Sequence, residues 1–162
     1  MDSCIWESPI GRLYIGADDY GVCAVRIAEE CDTAPLPPAS GLLCAAVCQL
    51  SEYMSGRRET FDLPLSLSGT PFEREVWAQL RAIPYGETMT YGQLATTIGR
   101  PGASRAVGRA CGANPVLVFV PCHRVIGADG RLTGFAAGLD AKRALLVLEG
   151  HEVRMDRILR DE

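Results

Sequence analysis

The chain of 162 residues has only two histidines, His123 and His151, and no two of its seven cysteines stand at Cys-x-x-Cys spacing. Cys4, Cys23, Cys31, Cys44, Cys48, Cys111 and Cys122 form an odd, irregularly spaced set. That pattern argues against a disulfide framework and against a paired zinc motif, and it points to a reducing, cytoplasmic setting. No apolar run approaches the roughly 20 residues of a membrane helix, so no membrane partner is expected. The opening residues, Met1 to Glu7, lack a basic region followed by an apolar core, so no signal peptide is expected. No internal repeat or low-complexity segment is visible. With 48% hydrophobic residues, a chain of this size buries roughly 70% of its unfolded surface and needs no covalent or metal staple.

The net charge of −4 conceals an asymmetry. Residues 1–69 hold four basic and ten acidic side chains, a balance of −6, whereas residues 70–162 hold twelve and ten, a balance of +2. Between Gly99 and Arg131 there are five arginines and one acid, Asp129. A polyanion responds to this local field rather than to the total. A solvated basic face is the plainer alternative, although it does not account for the clustering.

The first part reads as a small sheet with one helix. Residues 12–16 and 22–27 have strand composition and are separated by the turn Asp18-Asp19-Tyr20-Gly21. A proline-rich loop over 34–38 precedes a helix expected over about 39–54 and ended by Gly56. On that helix Leu43, Val47 and Leu50 share one side. Cys44 and Cys48 lie beside them at i,i+4, where core filling is the expectation and metal binding the alternative. Residues 61–66 suit an edge strand, since Pro64 cannot donate to a ladder.

The second part opens with Thr70, Pro71 and Glu73, an N-cap, first-turn proline and capping box that predict a helix over 71–83. Thr90 and Gln93 form a second capping-box pair, opening a short helix that closes at Gly99. After the turn Arg100-Pro101-Gly102-Ala103, Ser104 is placed to cap another short helix over 105–111. Two short helices around a glycine-containing turn describe a helix-turn-helix, although an αα-hairpin packed in a core fits the same pattern. Small residues plus Arg105 and Arg109 would let the second helix approach a nucleic-acid backbone closely.

The segment Pro115-Val-Leu-Val-Phe-Val-Pro121-Cys122-His123-Arg124-Val125-Ile126 carries the most chemistry. Its apolar, β-branched run predicts a short buried strand that Pro121 stops. A thiol at such a break can be held rigidly and still be reached, and a neighbouring imidazole can draw off its proton. A buried cysteine that merely fills space is the competing reading.

Tyr91-Gly-Gln-Leu-Ala95, Arg105-Ala-Val-Gly108, Asn114-Pro115 and Pro121-Cys-His-Arg124-Val-Ile126 occur in one order and spacing. Together they resemble the O6-alkylguanine-DNA alkyltransferases, or methylated-DNA–protein-cysteine methyltransferases. The resemblance is close over 70–150 and looser over 1–69, where Ser8-Pro-Ile-Gly11 and the sheet-plus-helix layout carry it. It implies an α+β fold. A small N-terminal sheet-plus-helix lobe (1–69) would pack on a mostly helical C-terminal lobe (70–162) with a winged-helix-like helix-turn-helix. It also implies a monomeric DNA-repair protein without a cofactor, acting on double-stranded DNA that contains O6-alkylguanine. The alkyl group would pass irreversibly to Cys122, once per molecule, after the damaged nucleotide is flipped out.

In that reading His123 and Glu149 complete a proton relay, and Tyr91 serves the guanine pocket. Arg105 fills the gap in the duplex, and Ser104, Ala106 and Arg109 join it on DNA. Asn114 braces the cysteine loop, and Val125, Phe135, Ala136 and Ala137 contribute to the substrate pocket. Arg124 is read as structural, tying the loop to the core. The chemistry agrees on independent grounds. A saturated O-methyl carbon needs a strong, soft nucleophile, a carboxylate can stabilise the charged imidazole, and the guanine leaving group needs a donor such as the Tyr91 hydroxyl. Extrusion of the nucleotide costs a few kcal/mol, part of which an inserted side chain offsets.

The chain departs from the common family pattern at Gly134-Phe135-Ala136-Ala137-Gly138, where relatives have Gly-Tyr, small residues and then glycine. Phe135 keeps the aromatic wall without the hydroxyl, Ala136 offers no hydroxyl to the base edge, and Ala137 narrows the pocket. Some members hold zinc in the first lobe. Cys4 and Cys23 are available here, but no histidine lies in 1–122, so no metal is expected. Two other classes remain: a non-enzymatic helix-turn-helix module or regulator that binds alkylated DNA, and a cysteine hydrolase using Cys122 and His123.

Overall fold

A computed structural model of the chain describes residues 1–33 and 41–159. The expected proline-rich loop at 34–38 and the first two residues of the expected helix lie outside the described residues. The chain divides into two compact units. One comprises Met1–Ser68 with Pro115–Leu117, and the other Gly69–Asn114 with the chain from Val118 onward. The architecture is α+β. Among the described residues no helix is long and apolar enough to cross a membrane.

The first unit is an antiparallel meander of β1 (Asp2–Ser8), β2 (Gly11–Ala17) and β3 (Val22–Ile27). Gly11 turns β1 into β2 with φ +121°, a backbone that side-chain-bearing residues rarely adopt. The helix α1 (Gly41–Met54) packs on this sheet through Leu43, Ala46, Leu50 and Tyr53. Leu13, Ile15, Val22 and Val25 are fully buried on the strands. Val47 is only half-buried, and Cys44 and Cys48 are exposed, which corrects the expectation that the two thiols fill the core.

No full edge strand forms over 61–66. Instead β3 is capped along its outer edge by two isolated parallel bridges, Val22 to Leu65 and Val25 to Val116. Val25 N donates to Pro115 O at 2.9 Å and Leu117 N to Val25 O at 3.0 Å, and these bonds explain why 115–117 belong to the first unit. A Cβ at Gly21 would stand 2.5 Å from Pro64 O, so only glycine permits the other bridge.

The second unit begins with α2 (Pro71–Ala82), whose capping box is complete. Thr70 accepts from Glu73 N, and Glu73 accepts from Thr70 N. A short strand β4 (Met89–Thr90) leads into α3 (Tyr91–Thr97), which has a second complete capping box between Thr90 and Gln93. Next comes α4 (Ser104–Gly112). After a single 3₁₀ turn, Cys122–Arg124, β5 (Val125–Ile126) pairs in parallel with β4. The helix α5 (Leu139–Leu148) and the hairpin of β6 (Val153–Arg154) and β7 (Arg157–Ile158) complete the unit. Ile126, Leu132, Leu146 and Ile158 form a buried apolar cluster beneath this hairpin.

Candidate active site

The helix pair α3–α4 is fixed from α2. Trp77, almost fully buried, donates its indole N–H to Ala110 O at 2.8 Å. A Cβ at Gly69 would meet that indole at 2.4 Å, so the residue before Thr70 must be glycine. Gly99 ends α3 at φ +76°, and Ala103 N donates to Arg100 O at 2.9 Å to close the turn. The N-cap of α4 is Ala103, without a side-chain cap bond, and Ser104 is the first helical residue. The expected Ser104 cap therefore does not form, because the backbone turn already delivers the chain into the helix. Val107, Ala110 and Cys111 face inward. Arg105 and Arg109 are exposed four residues apart, and Ser104 and Ala106 are half-buried.

The run before the cysteine is buried but is not a regular strand. Val118 has φ +71°, in the left-handed region that β-branched residues avoid. This kink breaks the ladder after the single bridge at Val116. Cys122 then opens the 3₁₀ turn, 6% exposed, with its N–H donating to Val120 O at 2.8 Å. Asn114 holds this loop from the end of α4. Its Nδ2 donates to Val120 O at 2.8 Å and to Cys122 Sγ at 3.2 Å.

Behind the thiol lies a buried charged chain. His123 Nε2 is 3.0 Å from Glu149 Oε1. Because an ionised carboxylate only accepts, Nε2 carries the hydrogen and Nδ1 is the basic nitrogen of the neutral ring. Arg124 Nε reaches both Glu149 oxygens, at 3.1 and 3.0 Å, and Nη2 reaches Oε1 at 2.7 Å. Nη1 donates to Ile83 O at 2.7 Å. Glu149 is the C-cap of α5, where the helix dipole disfavours a negative charge. The Arg124 guanidinium compensates that position. Burial lowers the His123 pKa despite the opposing pull of Glu149, so the ring rests neutral. Burial raises the Cys122 pKa, while the Asn114 hydrogen bond and the charge of Lys142 work against the rise.

Lys142 on α5 has no exposed surface, and its Nζ donates to Val125 O at 2.6 Å and Thr133 O at 2.9 Å. Burial lowers its pKa to about 8, against the attraction of Cys122 and Cys111. Above these groups is a cavity of about 310 Å³ lined by Tyr91, Gly108, Cys111, Gly112, Cys122, Thr133, Gly134, Phe135 and Ala136. The Tyr91 hydroxyl accepts from Thr133 Oγ1 at 2.9 Å. The Phe135 ring meets His123 edge-on at 6.5 Å between centroids. Val125 and Ala137 lie outside the lining: Val125 is buried in the β5 pairing and presents its carbonyl to Lys142.

Comparisons with known proteins fit this geometry. Residues 71–151 match the family model described as 6-O-methylguanine DNA methyltransferase, DNA binding domain. Residues 4–67 match the ribonuclease-like domain of the same family. The chain belongs to the 6-O-methylguanine DNA methyltransferase family. A methylated-DNA–protein-cysteine methyltransferase of Methanosarcina acetivorans is 46% identical over 93% of this chain and 99% of its own length. The crystal structure of Mycobacterium tuberculosis OGT in complex with DNA superposes with a TM-score of 0.83 at 46% identity, covering 92% of each chain. A second structure, of the Mycobacterium tuberculosis O6-methylguanine methyltransferase, gives 0.82 at 45% identity over 91% of this chain and 92% of that one.

The motif residues Tyr91, Gly108, Asn114, Cys122 and His123 thus lie around one candidate site, and three side chains there make contacts that the sequence does not reveal. Arg124 supplies three of the bonds that hold Glu149, Lys142 places a buried cation by the cysteine loop, and Cys111 brings a second sulfur to the cavity. A lysine set in the apolar face of α5, beside Ala141, Leu145 and Leu146, was the one signal that could have found Lys142. Among the described residues no group of three His, Cys, Asp or Glu side chains is placed to hold a metal.

Proposed function

We propose that this protein repairs duplex DNA by transferring the alkyl group of O6-alkylguanine to Cys122, once per molecule, as a monomer in the cytoplasm. The observation that carries the reading is the arrangement Asn114–Cys122 and His123–Glu149–Arg124 beside a cavity of about 310 Å³. It sits in a chain that matches methyltransferases along most of their length. All seven cysteines are free thiols, which suits a reducing compartment. One chain carries every residue the chemistry uses, so a monomer suffices.

In the resting protein Cys122 is a neutral thiol, because burial disfavours its charge. The base that enters the cavity meets Tyr91, Phe135 and Ala136 among its lining. The Cys122 proton passes to His123, whose imidazolium is stabilised by the Glu149 carboxylate through Nε2. The thiolate, supported by the Asn114 N–H and the Lys142 charge, attacks the alkyl carbon in line with the C–O bond. A C–S bond forms as the C–O bond breaks, and the electron pair passes to the guanine. The Tyr91 hydroxyl assists that departure by hydrogen bonding. The thioether product has no easy reverse, so the site is spent. Arg105 and Arg109, exposed on α4, contact the DNA, with Arg105 entering the space the flipped nucleotide leaves.

The test is mass spectrometry of the protein mixed with a duplex that contains O6-methylguanine. The expected result is one methyl mass on the Cys122 peptide, saturating at one per protein and absent in Cys122→Ala. Tight lesion binding without a mass gain would instead identify a damage-binding module.

A further inference from the structure

The alkyl-transfer reading leaves two exposed thiols on α1 unused. Cys44 and Cys48 are four residues apart on one helix and both are exposed. Helical residues at this spacing have Cβ atoms about 5–6 Å apart, so both sulfurs can turn onto one atom between them. Both line a cavity of about 350 Å³ whose apolar walls are Trp6 and Val47. The Cys48 thiol also reaches Glu52 Oε1 at 3.7 Å along the same helix face.

Paired soft sulfurs favour a soft, thiophilic centre over a hard cation. A tetrahedral zinc site needs two further protein ligands. Among the described residues no group of three metal-binding side chains occurs. A centre that is satisfied by two sulfurs and carries its own organic third substituent fits better. We propose that Cys44 and Cys48 form a dithiol site for trivalent organoarsenicals, with the organic group seated in the cavity beside Trp6 and Val47. With an arsine oxide, two S–H and one As=O unit give two As–S bonds and one water. Both thiol protons leave on the oxygen, and no electron transfer is involved.

The probe is phenylarsine oxide at one equivalent on the full-length protein without DNA, read as protection of each cysteine from iodoacetamide by peptide mass spectrometry. Cys44 and Cys48 should be protected together, while exposed Cys31 is alkylated as before. A small dithiol should reverse the protection and a monothiol should not. Cys44→Ser and Cys48→Ser should each weaken binding by about 100-fold or more, the loss expected when a two-point attachment becomes one-point. Inorganic arsenite, lacking the organic group, should bind more weakly than the phenyl compound. Protection of Cys111 and Cys122 instead, or unchanged binding in either serine variant, would overturn the assignment. Equal binding of arsenite would remove the cavity from it. None of these readouts depends on alkyl transfer.

Discussion

The two units handle charge in opposite ways. In the first, the buried side chains among the described residues are almost all apolar, and Gln49, bonded to Asp62, is the buried polar one among them. Its ion pairs, such as Arg12–Glu7 and Arg26–Asp32, sit at the surface or partly exposed. In the second, Asn114, His123, Arg124, Lys142 and Glu149 are all buried in or around one loop. Desolvating charge is expensive, and a buried pair rarely outperforms an apolar substitute. The first unit is therefore organised for stability, whereas the second retains groups that stability alone would replace.

The sharpest way to break this comparison is to neutralise one carboxylate in each unit. Glu149→Gln leaves the Arg124 guanidinium buried against an uncharged partner, at about 3–5 kcal/mol, the typical loss for one half of a buried pair. Alkyl transfer should fall as well, because His123 loses the charge that stabilises its protonated form. Glu7→Gln removes one half of an exposed pair and should leave the Tm unchanged. Thermal melts and single-turnover rates of both variants check this, and equal destabilisation would end the contrast.

A core truncation sharpens it from the other side. Leu50 is fully buried on α1, so Leu50→Ala should destabilise by about 2–5 kcal/mol. The transfer rate per folded molecule should stay the same, since every residue of the proposed chemistry lies in the second unit. Asn114→Ala should reverse that pattern. It removes one of the two donors to the Val120 carbonyl, which keeps the Cys122 N–H, at about 0.5–1.5 kcal/mol, but also takes the N–H from Cys122 Sγ. Its larger effect should be a slower transfer, read at a temperature where both variants are folded.

Legibility in the sequence follows the same division between local and distant partners. The capping boxes at Thr70–Glu73 and Thr90–Gln93 involve residues three apart, and both form as their sequence pattern predicts. The strand expected after Pro115 does not form, because apolar β-branched composition cannot reveal that Val118 adopts φ +71°. The thiols of α1 lie outside the core they are expected to fill, because a helical stripe gives a direction but not the width of the buried face. Arg124, read as tying the loop to the core, does so through Ile83 and Glu149, 41 and 25 residues away, partners that the sequence does not name. Lys142 is illegible for the same reason, its acceptors being carbonyls, which every residue has. Family motifs point to the candidate site where local chemistry does not, but they name residues rather than the bonds between them.

The smallest effect is a pH dependence in which the second unit balances opposing groups. The Cys111 thiol is pushed up to about 12 by burial and by the charge of Cys122, from about 8.5 in an unfolded chain. The folded state therefore keeps a proton that the unfolded state sheds. The resulting stability is fully present below about pH 8.5 and is lost as pH rises toward 12. Lys142 runs the other way: at about 8 when folded and about 10.4 when unfolded, it relieves a penalty as pH rises between those values. Each slope reaches at most about 1.4 kcal/mol per pH unit, so between about pH 8.5 and about 10.4 the two largely cancel. Cys111→Ala should expose the Lys142 slope and make alkaline stability rise relative to the parent, while Lys142→Met should make it fall more steeply. In the first unit burial also raises the Cys4 thiol, with no cation among its causes, so Cys4→Ala should improve alkaline stability without any opposing partner to uncover. Urea titrations of the three variants at two alkaline pH values measure these slopes. If Lys142→Met leaves the alkaline slope of the parent unchanged, the compensation by a buried cation is absent, and the two units differ in where they place charge but not in how it is balanced.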